Sequence, residues 1–395
     1  PAQCPVPVFV AVVHHPPASI GAFHQGGVAT RPPGFASING ARDRVVGCVL
    51  PRAMDGTRTC SDHHVAGGRA RSAADGGGHV IPTAVAGDLG AFLRIRLHVP
   101  FLGILPAVVD VFYLAHGAES VNRHFPKPEY LQAARKIGDL CWQVLSEGGI
   151  DITELGNHHG MSATVLMDPA VELYFATNEP RYLALAELVL QQADANPDLA
   201  LLTRALAGAD ASEIATGKAY QLAWNLVGLA KLHKATGIAG YRQAVDNVWE
   251  SIRTHHLTLG GGPWGGVAHR SREVFKPAGV FSPHGYVETC SVLAWIQLNR
   301  ELLFITGEGR YAEEIERTAY NDLLGAMAPN GEDWCYYSFP NGRRVHTTYW
   351  RCCKSSGAMA IEELPAIAYT QSAEGNVSVN LLGPGNAEFL SPEAG

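Results

Sequence analysis

Lysine, glutamate and tryptophan are absent from the first 118 residues of this 395-residue sequence. Lysine and glutamate are favoured on helix surfaces, so their absence excludes ordinary amphipathic helices from this segment. Glycine, proline, alanine, valine and histidine are abundant instead, as in "GGRARSAADGGGHV". Two interpretations compete: an extension without regular structure, or a stretch translated from a shifted reading frame, which we favour. We place no functional site in residues 1–118.

Charge is also scarce, since 17% of the residues are charged and the net charge is −7. This balance predicts no basic surface for nucleic acid or an anionic membrane, and it favours a small-molecule or oligosaccharide substrate. The longest apolar run, 98–118, contains Pro106 and Asp110 and therefore does not predict a membrane span. No basic segment precedes the apolar stretch 5–13, so we expect no secretion signal.

Cysteine is sparse, with eight residues at irregular spacing. Secreted domains stapled by disulfides show a dense pattern, so free thiols and a cytoplasmic location are expected. Two of the eight, Cys352 and Cys353, are adjacent in "YWRCCKSSG". Adjacent cysteines on their own are most simply small buried apolar residues.

Helical patterns begin near residue 125, with apolar residues at three- and four-residue steps in 130–149. Asp168 is predicted to cap the next helix, with Pro169 at its first position. The residues after 369 alternate like a strand in "NVSVNLLGPG". We therefore predict an atypical segment over 1–118, an all-α domain over 119–370 and the beginning of a β domain over 371–395.

One motif, a threonine followed five residues later by a tyrosine, marks the helix ends. Each copy stands where one helical pattern stops and the next starts, which predicts repeated antiparallel helix pairs. Such pairs stack as an open solenoid or close into an α/α toroid. The Gly-rich stretch 259–287 favours the toroid, because a loop this long in a helical fold is usually functional. The copies are Thr177–Tyr182, Thr236–Tyr241 and Thr306–Tyr311.

The Gly-rich stretch is followed by "VETC", which contains a carboxylate, Glu288, and a thiol, Cys290. Residues two apart on a helix point in nearly opposite directions, so these two can share a ligand only where the chain is not yet helical. Cys352 and Cys353 likewise converge only if the backbone bends between them, which "KSSG" permits. One carboxylate and three thiols suit tetrahedral zinc, whereas scattered core cysteines are the alternative.

The order "GGPWGG", "REVF", "VETC", "RYAEEIERTAYN", "RCC" resembles glycoside hydrolase family 127 and its close relatives, the β-L-arabinofuranosidases with a zinc-associated catalytic cysteine. The resemblance extends over about residues 150 to 385. It implies an all-α catalytic domain, an (α/α)6 barrel or toroid, followed by β-sandwich domains of which this chain would hold only a truncated start.

Carried over position by position, the resemblance also implies a set of site residues. Glu288, Cys290, Cys352 and Cys353 fall on the zinc ligands, and Cys352 falls on the nucleophile as well. Glu273, in "REVF", falls on the general acid/base. Zinc would hold the Cys352 sulfur as a thiolate, whereas Glu273 must be protonated when substrate binds.

Substrate contacts are implied at three further positions. Tyr336 falls on a substrate-facing tyrosine, although a packed aromatic is equally consistent with its surroundings. His158 and His159 offer the histidines that face the sugar, but Lys218 replaces a neighbouring family histidine. These residues together imply a retaining glycosidase that releases L-arabinofuranose from β-L-arabinofuranosides. A closed four-ligand site is more typical of structural zinc, so a glycan-binding helical toroid without hydrolytic activity is the alternative.

Overall fold

The computed structural model describes residues 9–10, 12–14, 128–265, 273–280, 284–347, 351–372 and 374–389. Of residues 1–118, the structure describes only two short strands, so our interpretation of this segment falls on residues outside the described ranges. The apolar run 98–118 lies outside them entirely. No helix in the part of the chain that the structure describes is long and apolar enough to cross a membrane.

Helices dominate the described chain, as the sequence predicts. The α-helices are α1 (Pro128–Trp142), α2 (Met161–Thr164), α3 (Met167–Thr177), α4 (Pro180–Ala195), α5 (Leu201–Leu206), α6 (Ala219–Thr236), α7 (Ala239–His255), α8 (Thr289–Thr306), α9 (Gly309–Thr318), α10 (Leu324–Ala326) and α11 (Arg351–Ala368). Single π-helical turns, Gln143–Glu147 and Ala319–Leu323, extend α1 and α9, and 3₁₀ turns cover Ile152–Leu155 and Ala211–Glu213.

The three copies of the threonine–tyrosine motif form the same turn between paired helices. In the third copy, Thr306 is the last residue of α8, and its hydroxyl donates a hydrogen bond to Leu302 O at 2.7 Å. The same hydroxyl accepts from the Glu308 backbone N at 3.1 Å. Gly307 ends the helix in the left-handed region at φ 70°, which glycine adopts without strain. Thr177 and Thr236 make equivalent bonds, so the predicted helix pairs α3–α4, α6–α7 and α8–α9 are confirmed.

Four helices, α3, α6, α8 and α11, pack side by side in a row, with α8 between α6 and α11. α8 is apolar or buried along almost its whole length, which is typical of a helix enclosed on every side. In α9, by contrast, only one face is buried, so it lies on the outside of its pair. The predicted all-α fold class therefore holds, with a buried inner row and an outer layer of helices.

Aromatic residues fill the space between the inner and outer helices. Trp249 of α7 stacks on Trp295 of α8 with ring centroids 6.0 Å apart. The indole N–H of Trp249 donates to Asn299 Oδ1 at 2.8 Å, and that of Trp224 donates to Gln297 Oε1 at 2.7 Å. Because the buried N–H groups of Trp224 and Trp249 are satisfied, these two tryptophans contribute apolar burial without an unpaired donor.

Ion pairs between buried charged side chains connect the helices of the inner row. Lys231 of α6 is buried and lies 2.5 Å from Asp168 and 2.6 Å from Glu172 of α3. Arg300 of α8 pairs with Glu301 at 2.7 Å and with Glu363 of α11. The prediction that Asp168 is a helix cap is therefore wrong, since it lies inside the first turn of α3 and pairs with Lys231. Pairing with buried lysine overrides the local capping preference.

Short strands join the helices and form small sheets. β1 (Phe9–Val10), β8 (Tyr369–Gln371) and β9 (Val377–Val379) pair in one antiparallel sheet, and β2 (Val12–His14) pairs with β10 (Asn386–Glu388). β3 (Trp264–Gly265), β4 (Tyr286–Glu288) and β6 (Tyr337–Ser338) form a second antiparallel sheet, and β5 (Trp334–Cys335) pairs with β7 (His346–Thr347). The predicted strands after residue 369 are present, and the Gly-rich stretch contains β3 and most of β4.

Asp210 ties the loop before α6 to α7. Its carboxylate accepts from the Ser212 backbone N at 3.1 Å and the Ser251 hydroxyl at 2.8 Å, and it lies 2.9 Å from His256 Nε2. Burial acts to raise the pKa of Asp210, but these hydrogen bonds outweigh it and hold the pKa at about 2. His256 in turn packs on Phe275, with ring centroids 4.5 Å apart, close to the predicted acid/base residue.

Asp210→Asn is expected to lower the free energy of unfolding by about 1–2 kcal/mol near pH 7, since hydrogen bonds to the carboxylate are lost. The folded-state pKa of about 2 lies below the ordinary value of 3.8, so this stabilisation is complete above about pH 4 and is lost as the pH falls toward 2. Urea unfolding near pH 7, 5 and 3 measures the difference. The exposed Asp198→Asn is the control and should change stability little. A difference that grows on acidification would contradict the assignment.

Candidate active site

Three thiols meet where two inner helices begin. Cys290 is the second residue of α8, and Cys352 and Cys353 are the second and third residues of α11. Their sulfur atoms all lie within 4.8 Å of one another, and the Sγ atoms of Cys290 and Cys353 are 3.5 Å apart. We call these three residues the thiol group.

The helices start earlier than the sequence predicts. Cys290 already lies in the first turn of α8, whereas Glu288 before it is still extended. Cys352 and Cys353 lie in one continuous helix that includes "KSSG", so the predicted backbone bend between them is wrong. The thiols converge because two helix N-termini meet there, which sequence spacing within either helix does not reveal.

The electrostatics of the thiol group favour one thiolate, on Cys352. Hydrogen bonds from the Cys290 and Cys353 thiols lower the pKa of Cys352 to about 3. The same hydrogen bond to Cys352 raises the pKa of Cys290 well above its ordinary value, with burial adding to the effect. The N-termini of α8 and α11 carry partial positive charge, which also favours an anion at this position.

The thiol group has the geometry of a metal site. Sulfur atoms bound to one tetrahedral zinc at about 2.3 Å lie about 3.8 Å apart, close to the 3.5 Å between Cys290 and Cys353. Ser356 Oγ, one turn further along α11, donates to Cys290 Sγ at 3.2 Å and so fixes its orientation. The residues present therefore fit a soft divalent metal.

Glu288 lies beside the thiol group as the N-cap residue of α8 and is buried. β4 holds it in place through pairing with Tyr337 of β6. Burial raises the pKa of Glu288 to about 7, although the Lys218 ammonium, 3.5 Å from its Oε2, acts to lower it. Glu288 thus lies near the thiol group, but its carboxylate is not among the atoms that lie within 4.8 Å of one another.

Glu273 faces the same space from the Gly-rich stretch. Its backbone carbonyl accepts from the Ala219 N at 3.1 Å, and Val274 bridges with Lys218, so the start of α6 holds the segment. The Tyr336 hydroxyl donates to Glu273 Oε1 at 3.0 Å, and the Tyr337 hydroxyl donates to the same oxygen. Lys218 forms an ion pair with Oε2.

Tyr336 connects the two halves of the site. Its hydroxyl bonds to Glu273, and its side chain also makes a hydrogen bond that lowers the pKa of Cys352. Burial first, and then the charges of Glu288 and Glu273, raise the pKa of Tyr336, so it stays a neutral donor. The predicted residues Glu273, Glu288, Tyr336 and the thiol group are therefore brought together.

The two predicted histidines adopt positive backbone φ angles of 58° and 57°, at His158 and His159 respectively. His158 Nδ1 lies 2.7 Å from Thr216 Oγ1, two residues before Lys218. His159 is 45% exposed and lies 3.5 Å from the carboxylate of Asp198. His158 thus contacts the loop before α6, whereas His159 forms an exposed ion pair.

Lys218, Tyr337 and Ser356 were not predicted as site residues. The sequence showed Lys218 only as a departure from the family pattern, and the buried ion pair gives it a place in the site. Tyr337 pairs with Glu288 across β4 and β6, which strand alternation would indicate only once that pairing was known. Ser356 follows Cys352 by four residues, one helical turn away.

Paired helices around a buried inner row define this protein as an α/α helical domain with a thiol and carboxylate site at one end of the row. The catalytic-domain model of β-L-arabinofuranosidases of glycoside hydrolase family 127 matches residues 109–366. The chain belongs to this family.

Three known proteins are similar to this chain. A non-reducing end β-L-arabinofuranosidase from Bifidobacterium longum subsp. longum is 21% identical over 276 residues, which make up 60% of this chain and 42% of the relative. The crystal structure of a family 127 β-L-arabinofuranosidase from Geobacillus stearothermophilus T6 matches with a TM-score of 0.56 at 21% identity, covering 69% of this chain and 47% of that one. A further solved glycoside hydrolase matches with a TM-score of 0.53 at 22% identity, covering 70% and 49%.

The two solved structures share the fold of this chain, which confirms the predicted (α/α)6 toroid class. The chain spans a little under half the length of the relatives it matches. Membership of the family therefore concerns the helical catalytic domain.

Proposed function

We propose that this protein is a retaining glycoside hydrolase that releases L-arabinofuranose from β-L-arabinofuranosides, with Cys352 as nucleophile and Glu273 as general acid/base. The position of Tyr336 carries the proposal, because its side chain bonds to both groups. Retaining glycosidases need a nucleophile and an acid/base residue at the same site, and contact with one tyrosine side chain supports these roles for Cys352 and Glu273. Family membership supports the same assignment.

In the first half of the reaction, the Cys352 sulfur would attack the anomeric carbon as the bond to the leaving oxygen breaks. Glu273 would give its proton to that oxygen, leaving a glycosyl thioether on Cys352. In the second half, Glu273 would take a proton from water, and the water oxygen would bond to the anomeric carbon. The Cys352 sulfur would leave as a thiolate, and two inversions give net retention of configuration.

The proposed zinc ligands are the thiol group and Glu288. When bound, zinc would keep the Cys352 sulfur deprotonated near neutral pH. Even with zinc and Lys218 as cations, three zinc-bound thiolates and the Glu288 carboxylate leave an excess of negative charge, which supports a neutral sugar as substrate. The proposal includes a cytoplasmic location, because the thiols must stay reduced.

We expect about one zinc per chain in freshly purified, reduced protein, and loss of that zinc in Cys290→Ser and Cys353→Ser, since each removes one of four ligands. Elemental analysis measures the metal directly. Cys141→Ser is the control, because Cys141 lies on α1 outside the thiol group. Protein without zinc would overturn the metal assignment.

Release of arabinose from aryl β-L-arabinofuranosides by the zinc-loaded protein tests the activity itself. We expect turnover, with the first product in the same anomeric configuration as the substrate. Saccharide binding without any turnover would instead support a glycan-binding protein with a structural zinc.

A further inference from the structure

Lys218 connects the two buried carboxylates of the site. It is the N-cap residue of α6, and its side chain is 6% exposed. The ammonium forms an ion pair with Glu273 and lies 3.5 Å from Glu288 Oε2. The backbone of Lys218 also bridges with Val274. Lys218 therefore holds the Glu273 segment through both its side chain and its backbone.

The two oxygens of Glu273 are divided among different donors. Oε2 accepts from Lys218, whereas Oε1 accepts from Tyr336 and Tyr337. Because both oxygens are held, the carboxyl group cannot rotate about its last bond without losing a hydrogen bond. Without the ammonium, Oε2 would lose its donor, and two buried carboxylates would face each other without a cation between them.

We propose that Lys218 is a positioning residue that fixes the Glu273 carboxyl group in the orientation required for proton transfer. The ammonium and the two tyrosine hydroxyls all donate to Glu273, so the arrangement described is that of the carboxylate that takes a proton from water. This inference rests on the proposed glycosidase function. The resemblance implies a histidine at this position, and a histidine is shorter and presents a flat ring in place of a flexible ammonium. The Lys218 arrangement is thus a property of this chain.

The test compares Lys218→Met and Lys218→Arg, each alone and combined with Glu273→Gln. Misplacement of a catalytic group by about 1 Å can cost about 10²-fold, so we expect Lys218→Met to lower kcat by this order on glycosides with poor leaving groups. The KM should change little, because an interaction with Glu273 rather than with substrate is removed. Lys218→Arg retains a donor and should recover part of the rate. In the Glu273→Gln background, Lys218→Met should add almost no loss, since the two residues act together.

Zinc content should stay the same in all variants, which separates positioning from damage to the metal site. Lys136→Met, on the exposed face of α1, is the matched control and should leave all readouts unchanged. If Lys218→Met does not fold, Lys218→Gln replaces it in the same comparison, alone and combined with Glu273→Gln. Full activity of the Lys218 variants, or an undiminished loss in the Glu273→Gln background, would overturn this inference alone. A lack of turnover by the unaltered zinc-loaded protein would overturn the proposed function and this inference with it.

Discussion

Cys352→Ser is expected to abolish turnover on every substrate, with a loss on the order of 10⁴-fold or more in kcat/KM. A serine hydroxyl is not ionised near neutral pH, whereas the Cys352 sulfur has its pKa lowered to about 3 by hydrogen bonds from Cys290 and Cys353. The loss should be equal for activated and unactivated glycosides, because the attacking atom itself is removed. Initial rates on a series of aryl β-L-arabinofuranosides measure it.

Cys335→Ser is the matched control for this experiment. Cys335 is buried, and burial raises its pKa, but its sulfur does not belong to the thiol group. It should therefore keep most of the activity of the unaltered protein. Substantial turnover by Cys352→Ser would exclude Cys352 as nucleophile while leaving the family assignment intact.

Glu273→Gln is expected to depend strongly on the leaving group. Glycosides with poor leaving groups need a proton on the departing oxygen, so their rates should fall by about 10²–10⁴-fold. Activated aryl glycosides leave without protonation and should still form the thioether on Cys352. Hydrolysis of that thioether needs Glu273 to activate water, so the intermediate should accumulate.

Mass spectrometry of Glu273→Gln treated with an activated arabinofuranoside should therefore find a pentosyl adduct on the peptide that contains Cys352. Glu308→Gln, in the exposed turn before α9, is the control and should show no accumulation. An adduct on a carboxylate, or a first product of inverted configuration, would exclude the cysteine mechanism.

Local sequence patterns were sufficient to predict the helix pairs of this fold. The threonine–tyrosine turns depend on contacts within about six residues, such as the hydrogen bond from Thr306 to Leu302. Contacts this local can be predicted from the neighbouring residues of the sequence. Asp168 was misjudged because its partner Lys231 is 63 residues away. The local preference predicted Asp168 as a helix cap, but the long-range ion pair with Lys231 places it inside the helix.

The family resemblance predicted which side chains form the site, but the sequence did not predict how they are arranged. Spacing within "RCCKSSG" predicted a bend that does not exist, because convergence comes from two helix ends and not from local backbone shape. The contact between Lys218 and Glu273, 55 residues apart, follows from the β-bridge beside it and has no signature in either stretch. Sites assembled from several helix ends are set by tertiary packing, which one sequence does not display.

Cys290 and Cys353, whose sulfur atoms lie 3.5 Å apart, are separated by 63 residues along the chain. A metal shared between them would close this stretch into a ring and act as a reversible cross-link between α8 and α11. A ring of this length lowers the entropy of the unfolded chain, which raises the free energy of unfolding by roughly 4 kcal/mol in the chain-entropy model. Metal occupancy would then govern how long the folded chain survives heat or proteases, independently of any chemistry on sugars.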